Sequence, residues 1–437
     1  NSFFWLFTLD LKSSKKGTQS VILNWIQANK NYNPYNWEID TLSRRIIAWI
    51  SNSKLTYEES SEVYKNKFNF VIKKQINHLI NEIERSDSVN DKMIGCTAII
   101  LSGLSYDDKK ILDYGLILLK KICNISFDTQ GFPKSRNFRQ LVFYLKHMVI
   151  IREFLKESQN VIPDYLNEHI FYLGQSYNFI WQNTQKNYLF NGNHEVSHKE
   201  FDKYLVSKGY KFQNKLLEHG GYALLKNKNV SIMMDVGSSP EKKFSNNFQS
   251  GALSFEMYFL GEKIISNSGY FQNLNHQLNS ISRSTASHST LTIDNSSISK
   301  FRKQSNGNIY IENNLKIISK KIIFEKNFWS LKGSHDGYQK KYGIIHNREL
   351  NFFPESNFLK GKDNLIKKKN TKKVNFEVRF HFLPGTKISK TQNEKSILIE
   401  FENSGWRFNC NNYNINIETG LYFGNKNKFL ENQNIYI

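Results

Sequence analysis

Proline, glycine and cysteine are all scarce in this chain of 437 residues, at 6, 23 and 3. So few chain breakers, together with aromatics at 14%, exclude a disordered or low-complexity polypeptide and predict packed globular structure. The length suffices for two or three domains with substantial cores. Cys96, Cys123 and Cys410 show no CxxC spacing, and the first two fall in helical apolar patterns; they read as buried thiols and identify no compartment. No window approaches the roughly 20 uninterrupted apolar residues of a membrane span. The opening stretch NSFFWLFTLDLKSSKKG is too short, and its charges too poorly ordered, for a signal peptide. It also has no initiator Met, so the expectation is that the true N-terminus is missing and the compartment open. Acidic residues are in short supply as well: 39 Asp and Glu face 60 Lys and Arg, a net charge of +21. That balance suits a polyanion such as a uronic-acid polysaccharide or nucleic acid. The alternative source of the excess is lysine scattered among Asn and Ile, as low-GC coding gives.

Residues 1 to about 185 repeat apolar positions at helical spacing. Val21, Ile22, Trp25 and Ile26 form one stripe, Ile46, Ile47 and Ile50 the next, and Phe68, Ile72, Ile76, Leu79 and Ile83 a third. Asp107 and Asp108 mark a helix start, with lysines at that helix's end. Further helices are predicted over Phe138 to Leu155 and over Pro163 to Trp181, where proline suits a first turn. Short connections between such helices imply antiparallel pairs. After about residue 190 the period changes to two. GGYALLKNKNVSIMMDVGSSP reads as a hairpin, and VNFEVRFHFLP alternates, with Val374, Phe376, Val378, Phe380 and Phe382 expected inward and Asn375, Glu377, Arg379 and His381 outward. Many short strands between Asn/Gly turns predict a large β-sandwich, and LFNGNHEVSH reads as the connector before it.

The richest stretch runs from Asn246 to Asp294 and contains LSFE (Leu253–Glu256), NSGY (Asn267–Tyr270) and STASHST (Ser284–Thr290). In order and spacing these segments resemble the C-terminal domain of the heparinase II/III family of polysaccharide lyases, in the form found in alphaproteobacteria. HDGY at His335, RFHFLP at Arg379 and ENSGWRF at Glu402 resemble further family segments, so the likeness extends over nearly the whole chain. The resemblance implies an α+β multidomain protein, with an N-terminal incomplete (α/α) toroid over 1–188 followed by a C-terminal antiparallel β-sandwich over 189–437. It implies a carbon–oxygen lyase that cleaves acidic, uronate-containing polysaccharide such as a glycosaminoglycan by β-elimination, in the periplasm. The expected partner is the acidic polysaccharide, without nucleic acid. The alternative is a catalytically weakened relative that binds acidic glycans.

Elimination needs a group that neutralises the uronate carboxylate, a base near the C5 proton and an acid near the C4 oxygen. By resemblance, Asn77 and His78 in INHLIN match a helix-borne Asn-His pair for the first and proton-handling roles; a solvated Asn and a surface His are the plain alternative. Arg136 and Asn137 in GFPKSRNFRQL match a polar, substrate-contacting centre, although Asn137 also suits a helix N-cap. The family's catalytic tyrosine position falls near Arg139 or Gln140, with Tyr144 one turn on, so Tyr270 is the leading proton-transfer residue. Arg283 is suited to gripping a carboxylate, and His288 stands on a family metal position with a catalytic role beside it. The family holds zinc, but its other ligand positions fall here on Gln249 and Asn267, and Asn247 and Gly251 replace a histidine and an aspartate. Amide oxygens are poor zinc ligands. No resident metal or other cofactor is therefore expected.

Overall fold

The computed structural model describes residues 1–8, 14–305, 307–367, 373–392 and 395–437. Residues 9–13, inside the opening stretch read above as no leader, lie outside these. Two compact units result: Asn1–Phe127 with Val142–Tyr172, and Asp128–Leu141 with Leu173–Ile437.

The first unit is helical. Its long helices are α1 (Lys15–Ala28), α2 (Ile39–Ser51), α3 (Glu62–Glu82), α4 (Val89–Ser105) and α5 (Lys109–Ser126), with most of α6 (Phe138–Glu157) and of α7 (Asp164–Tyr177). Each start is set locally. Ser61 Oγ accepts from Tyr64 N, Ser88 Oγ from Asp91 N, and Asp108 Oδ1 from both Lys110 N and Ile111 N. Caps of this kind stabilise a helix by about 1 kcal/mol each. On α3 the stripe Phe68, Ile72, Ile76 and Leu79 is buried, whereas α4 is buried on nearly all sides from Met93 to Gly103. A methyl on Gly103 would meet Leu112 N at 2.6 Å, so the absence of a side chain lets α4 and α5 approach closely.

The second unit carries the sheets. The first is antiparallel with five strands in sequence order: β1 (Glu218–His219), β2 (Tyr222–Lys226), β3 (Val230–Asp235), β4 (Phe255–Phe259) and β5 (Glu262–Ile265). The β2–β3 hairpin closes on Asn227, whose Oδ1 accepts from Asn229 N and Val230 N. A second sheet orders Phe358–Lys367, Ile344–Phe353, Trp329–His335 and Ile317–Phe324, and a third orders Asn416–Tyr422, Leu430–Tyr436, Phe376–His381 and Leu291–Ile293. One apolar core joins them: Ile232, Met234 and Met257 from the first sheet pack with Trp329, Leu331, Leu350 and Phe352 from the second and Ile435 from the third. The expected order, helices followed by antiparallel sheets, is what the chain adopts.

Two local readings are corrected. His381 points inward: it is 3% exposed, its Nδ1 lies 3.2 Å from Ser268 Oγ and its Nε2 2.9 Å from Ala286 O. The strand therefore departs from simple alternation, with Val378 and His381 buried and Phe376 and Phe380 only half-buried. A helix, α8 (Lys199–Ser207), also follows the connector where strands were expected.

Candidate active site

The connector and the segment after it meet at a squeezed glycine. Gly192 has φ +82°, and a methyl there would meet Asn137 Nδ2 at 2.5 Å and Asn247 Cβ at 3.0 Å. Glycine is thus what lets these two asparagines flank one point of the backbone. Asn137 also caps α6, its Oδ1 accepting from Gln140 N at 3.0 Å. The helix-cap reading of Asn137 is thus what the structure shows.

Tyr270 is presented by a second such corner. Gly269 has φ +85°, and a methyl there would meet Gly424 N and Phe423 C at 2.8 Å. The next residue is turned so that Tyr270 Oη donates to Asn247 Oδ1 at 3.1 Å and accepts from Arg283 Nη2 at 2.7 Å. Arg283 is 1% exposed. Its other donors go to Asn279 Oδ1, Phe248 O and Asn246 O. Every partner is neutral, and burial lowers its pKa. Arg139 places its guanidinium 5.9 Å from the Tyr270 ring centroid, with Nε buried and without a partner. His194, with Nδ1 3.4 Å from Gln272 Nε2, is pushed to a pKa of about 4 by burial first and by the Arg139 charge next. Asn137, Asn247, Tyr270, Arg283, Arg139 and His194 all belong to the second unit, where Tyr270 hydrogen-bonds Asn247 and Arg283 and its ring lies near Arg139.

Gln249 holds this arrangement. Its Oε1 accepts from Gly192 N at 2.8 Å, while Nε2 donates to Gly269 O at 2.9 Å and Ser282 O at 2.6 Å, tying both glycine corners together. His288 packs against Gly251, where a methyl would come within 2.6 Å of its Cδ2. Its Nδ1 faces Ser284 O at 2.8 Å, its Nε2 is buried with no partner, and burial lowers its pKa to about 4. Asn267 Oδ1 accepts from Ser289 N at 2.9 Å. The family's zinc does not fit these residues: one imidazole nitrogen stands with two amides already engaged by backbone, and zinc takes four nitrogen, sulfur or carboxylate ligands. Among the described residues no group of three or more His, Cys, Asp or Glu is arranged to hold a metal ion.

Arg136 belongs to the same unit but is otherwise employed. Nε donates to Gly220 O, Nη1 to Gly237 O and Ser238 O, and Nη2 to Gly221 O and to Asp235 Oδ1 at 2.6 Å. All five N–H donors of the guanidinium are used, so it fastens the Gly220–Gly221 and Asp235–Ser238 segments together and has none left for a substrate carboxylate. Asn77 and His78 lie in the first unit, on α3. Asn77 is exposed, and the His78 ring stands edge-on to Trp37 at 5.1 Å and tilted on Tyr32 at 5.7 Å. The residues that the sequence left unassigned are Arg139 and His194; Asn247 was noted only as a replacement. The available signal was charge and imidazole within two turn-rich stretches, GFPKSRNFRQL and LFNGNHEVSH.

The chain is similar to several known proteins. The chain is 21% identical over 419 residues to FtsZ-localized protein C of Caulobacter vibrioides, covering 92% of this chain and 72% of that protein. A crystal structure of heparinase III superposes with a TM-score of 0.75 at 15% identity, covering 95% of this chain and 70% of that one. The heparan sulfate lyase HepC from Pedobacter heparinus gives 0.67 at 15% identity, covering 99% and 71%. The structural likenesses establish a shared fold. Residues 211–437, more than half of the chain, match the family described as Heparinase II/III-like, C-terminal, and the protein belongs to that family.

Proposed function

We propose that this protein cleaves an acidic, uronate-containing polysaccharide by β-elimination, with Tyr270 as the proton-transfer residue. The observation that carries the reading is the seat of Tyr270 Oη, 2.7 Å from a buried guanidinium that has no carboxylate partner and 3.1 Å from an amide oxygen. Negative charge formed on the phenol oxygen meets the Arg283 donor in a site screened from water, where such stabilisation is strongest. As phenolate, Tyr270 takes the C5 proton. The C5–H electron pair forms the C4=C5 double bond, the C4–O bond breaks, and the same hydroxyl returns the proton to the leaving oxygen. Arg139, with Asn137 and Asn247, supplies the donors that neutralise the uronate carboxylate as carbanion character grows. A periplasmic location goes with this reading, and cell fractionation would check it.

The test is absorbance of the unsaturated uronate product across a panel of acidic polysaccharides. Reducing ends without that chromophore would mean hydrolysis and overturn the reading. A second reading, an acidic-glycan-binding relative without turnover, is favoured by one observation: the positions of the family's histidines and aspartates carry Asn247, Gln249, Gly251 and Asn267. The similarity to a protein named for its localisation with FtsZ is compatible with it. Binding without product in the same assay would select it.

A further inference from the structure

A cavity of about 580 Å³ opens elsewhere in the second unit, between the segment just before the connector (Asn183, Thr184, Lys186), the β2–β3 turn (Lys226–Ser231) and the β4–β5 hairpin (Tyr258, Gly261). Three lysines line it and no carboxylate does. Its neutral polar groups are largely consumed by the fold. Asn227 Oδ1 closes the hairpin, Asn183 Nδ2 donates to Asn214 O, Thr184 Oγ1 accepts from Lys186 N, Tyr258 Oη donates to Asn187 O, and Ser231 Oγ accepts from Tyr188 Oη. The ammonium groups keep spare capacity. Lys186 Nζ donates once, to Gly261 O at 3.1 Å, and Lys226 Nζ once, to Asn183 O at 2.6 Å. Each ammonium has three donors, so two remain on each, and Lys228 adds an exposed third group. Lys186 Nζ also stands 5.4 Å from the Tyr258 ring centroid, which fixes its stem. Burial already lowers the Lys226 pKa, and an anion would reverse that cost.

We propose that this cavity is a subsite for a sulfate- or carboxylate-bearing sugar of an acidic glycan, separate from the Tyr270 site. The volume suits a ligand of that size, and donors without carboxylates select an anion. The segment that walls the cavity at Asn183–Lys186 runs directly into the connector, which reaches Asn191 and Gly192 beside Asn247, so one stretch of chain serves both places. This inference rests on the acidic-glycan reading.

The experiment measures binding of fluorescent heparan sulfate, hyaluronan and neutral dextran oligosaccharides to the full chain, by polarisation. The triple variant Lys186→Gln, Lys226→Gln, Lys228→Gln should bind the acidic oligosaccharides at least tenfold more weakly and with a flatter salt dependence. Loss for heparan sulfate alone assigns sulfate; loss for both assigns carboxylate. The exposed, unbonded Lys228→Glu should fold normally and still weaken binding about threefold, which covers misfolding of the triple variant. A charge-matched control, Lys16→Gln, Lys67→Gln, Lys109→Gln, should bind as wild type. Unchanged affinity in the triple variant, an equal loss in the control, or RNA competing better than the glycan would each overturn the subsite. A wild-type chain that binds none of the acidic oligosaccharides would instead overturn the functional reading on which it rests.

Discussion

Arg136 and Arg283 are both buried guanidiniums of the second unit, held in opposite ways. Arg136 spends its five donors on four carbonyls and on Asp235, 2.6 Å away; burial is the largest influence and opposes its charge, but Asp235, Tyr222 and Glu218 together raise its pKa. Arg283 has no carboxylate, burial dominates, and its pKa is lowered. A buried cation lacking a counter-charge is costly. One that also donates to a tyrosine hydroxyl has a use for an incoming negative charge. The first corner is therefore fastened, and the second is held ready.

The comparison breaks most sharply at Tyr270. Tyr270→Phe removes only the hydroxyl, so the rate of product formation should fall by about 10²–10⁴, the usual worth of a positioned proton donor or acceptor, while glycan binding changes little. Full activity in this variant would end the assignment.

Next in size is Arg136→Ala. It strips the buried Asp235 carboxylate of its counter-charge, leaving it only Gly237 N and Asn191 Nδ2, and breaking a buried pair this way typically costs about 3–5 kcal/mol. Denaturant unfolding should show that loss. Arg283→Lys keeps a charge but not the planar fork, and should lower kcat with a smaller change in stability. If the two variants exchanged phenotypes, the contrast between fastened and ready corners would be wrong.

A smaller effect follows from the buried imidazoles. His288 and His194 are both lowered from 6.5 to about 4. Between pH 6.5 and 4 the unfolded chain binds protons that the folded chain refuses. Stability is thus full above pH 6.5 and falls as pH drops toward 4, by on the order of 3 kcal/mol for the fully buried His288 and by less for the half-buried, solvent-screened His194. Unfolding midpoints from pH 7 to 4.5 should trace this fall, and His288→Leu should flatten part of the slope. A flat profile in the wild type would contradict the burial of these rings.

The fold was legible where each element carries its own period. The α3 stripe and the β2–β3 hairpin are examples, since burial on one face writes itself into local spacing. Trp329–His335 was missed because Gly333 interrupts it, and the reason for that glycine is tertiary: a methyl there would meet Leu253 Cδ2 at 2.5 Å. Phe358–Lys367 was missed because it is an edge strand of the second sheet, rich in lysine, and exposed charge guards edges at the expense of pattern. In the candidate site, Tyr270, Arg283 and His288 could be named from the sequence because one family-like stretch contains them. Arg139 and His194 were not, because they enter from Asp128–Leu141 and from the connector, and no local spacing records that meeting.

The smallest expected effect concerns metal, and it sharpens what the Arg283 corner runs on. His288 Nε2 is a bare, buried acceptor, the kind of atom a zinc ion would seek, so an occupied site is the natural rival to proton transfer by Tyr270 beside Arg283. A divalent cation there would be the largest local charge and would replace guanidinium chemistry with its own. Gln249 and Asn267 oppose it, because their amides already hold Gly192, Gly269, Ser282 and Ser289 in place and turning them toward a metal would release those segments. Protein purified without chelator should hold well under one equivalent of zinc. Added zinc or EDTA should leave the unfolding midpoint unchanged, whereas a metal present at about 100 times its Kd would add about 2.7 kcal/mol. A full equivalent lost together with that stabilisation in His288→Leu would move the chemistry from Tyr270 and Arg283 to the metal.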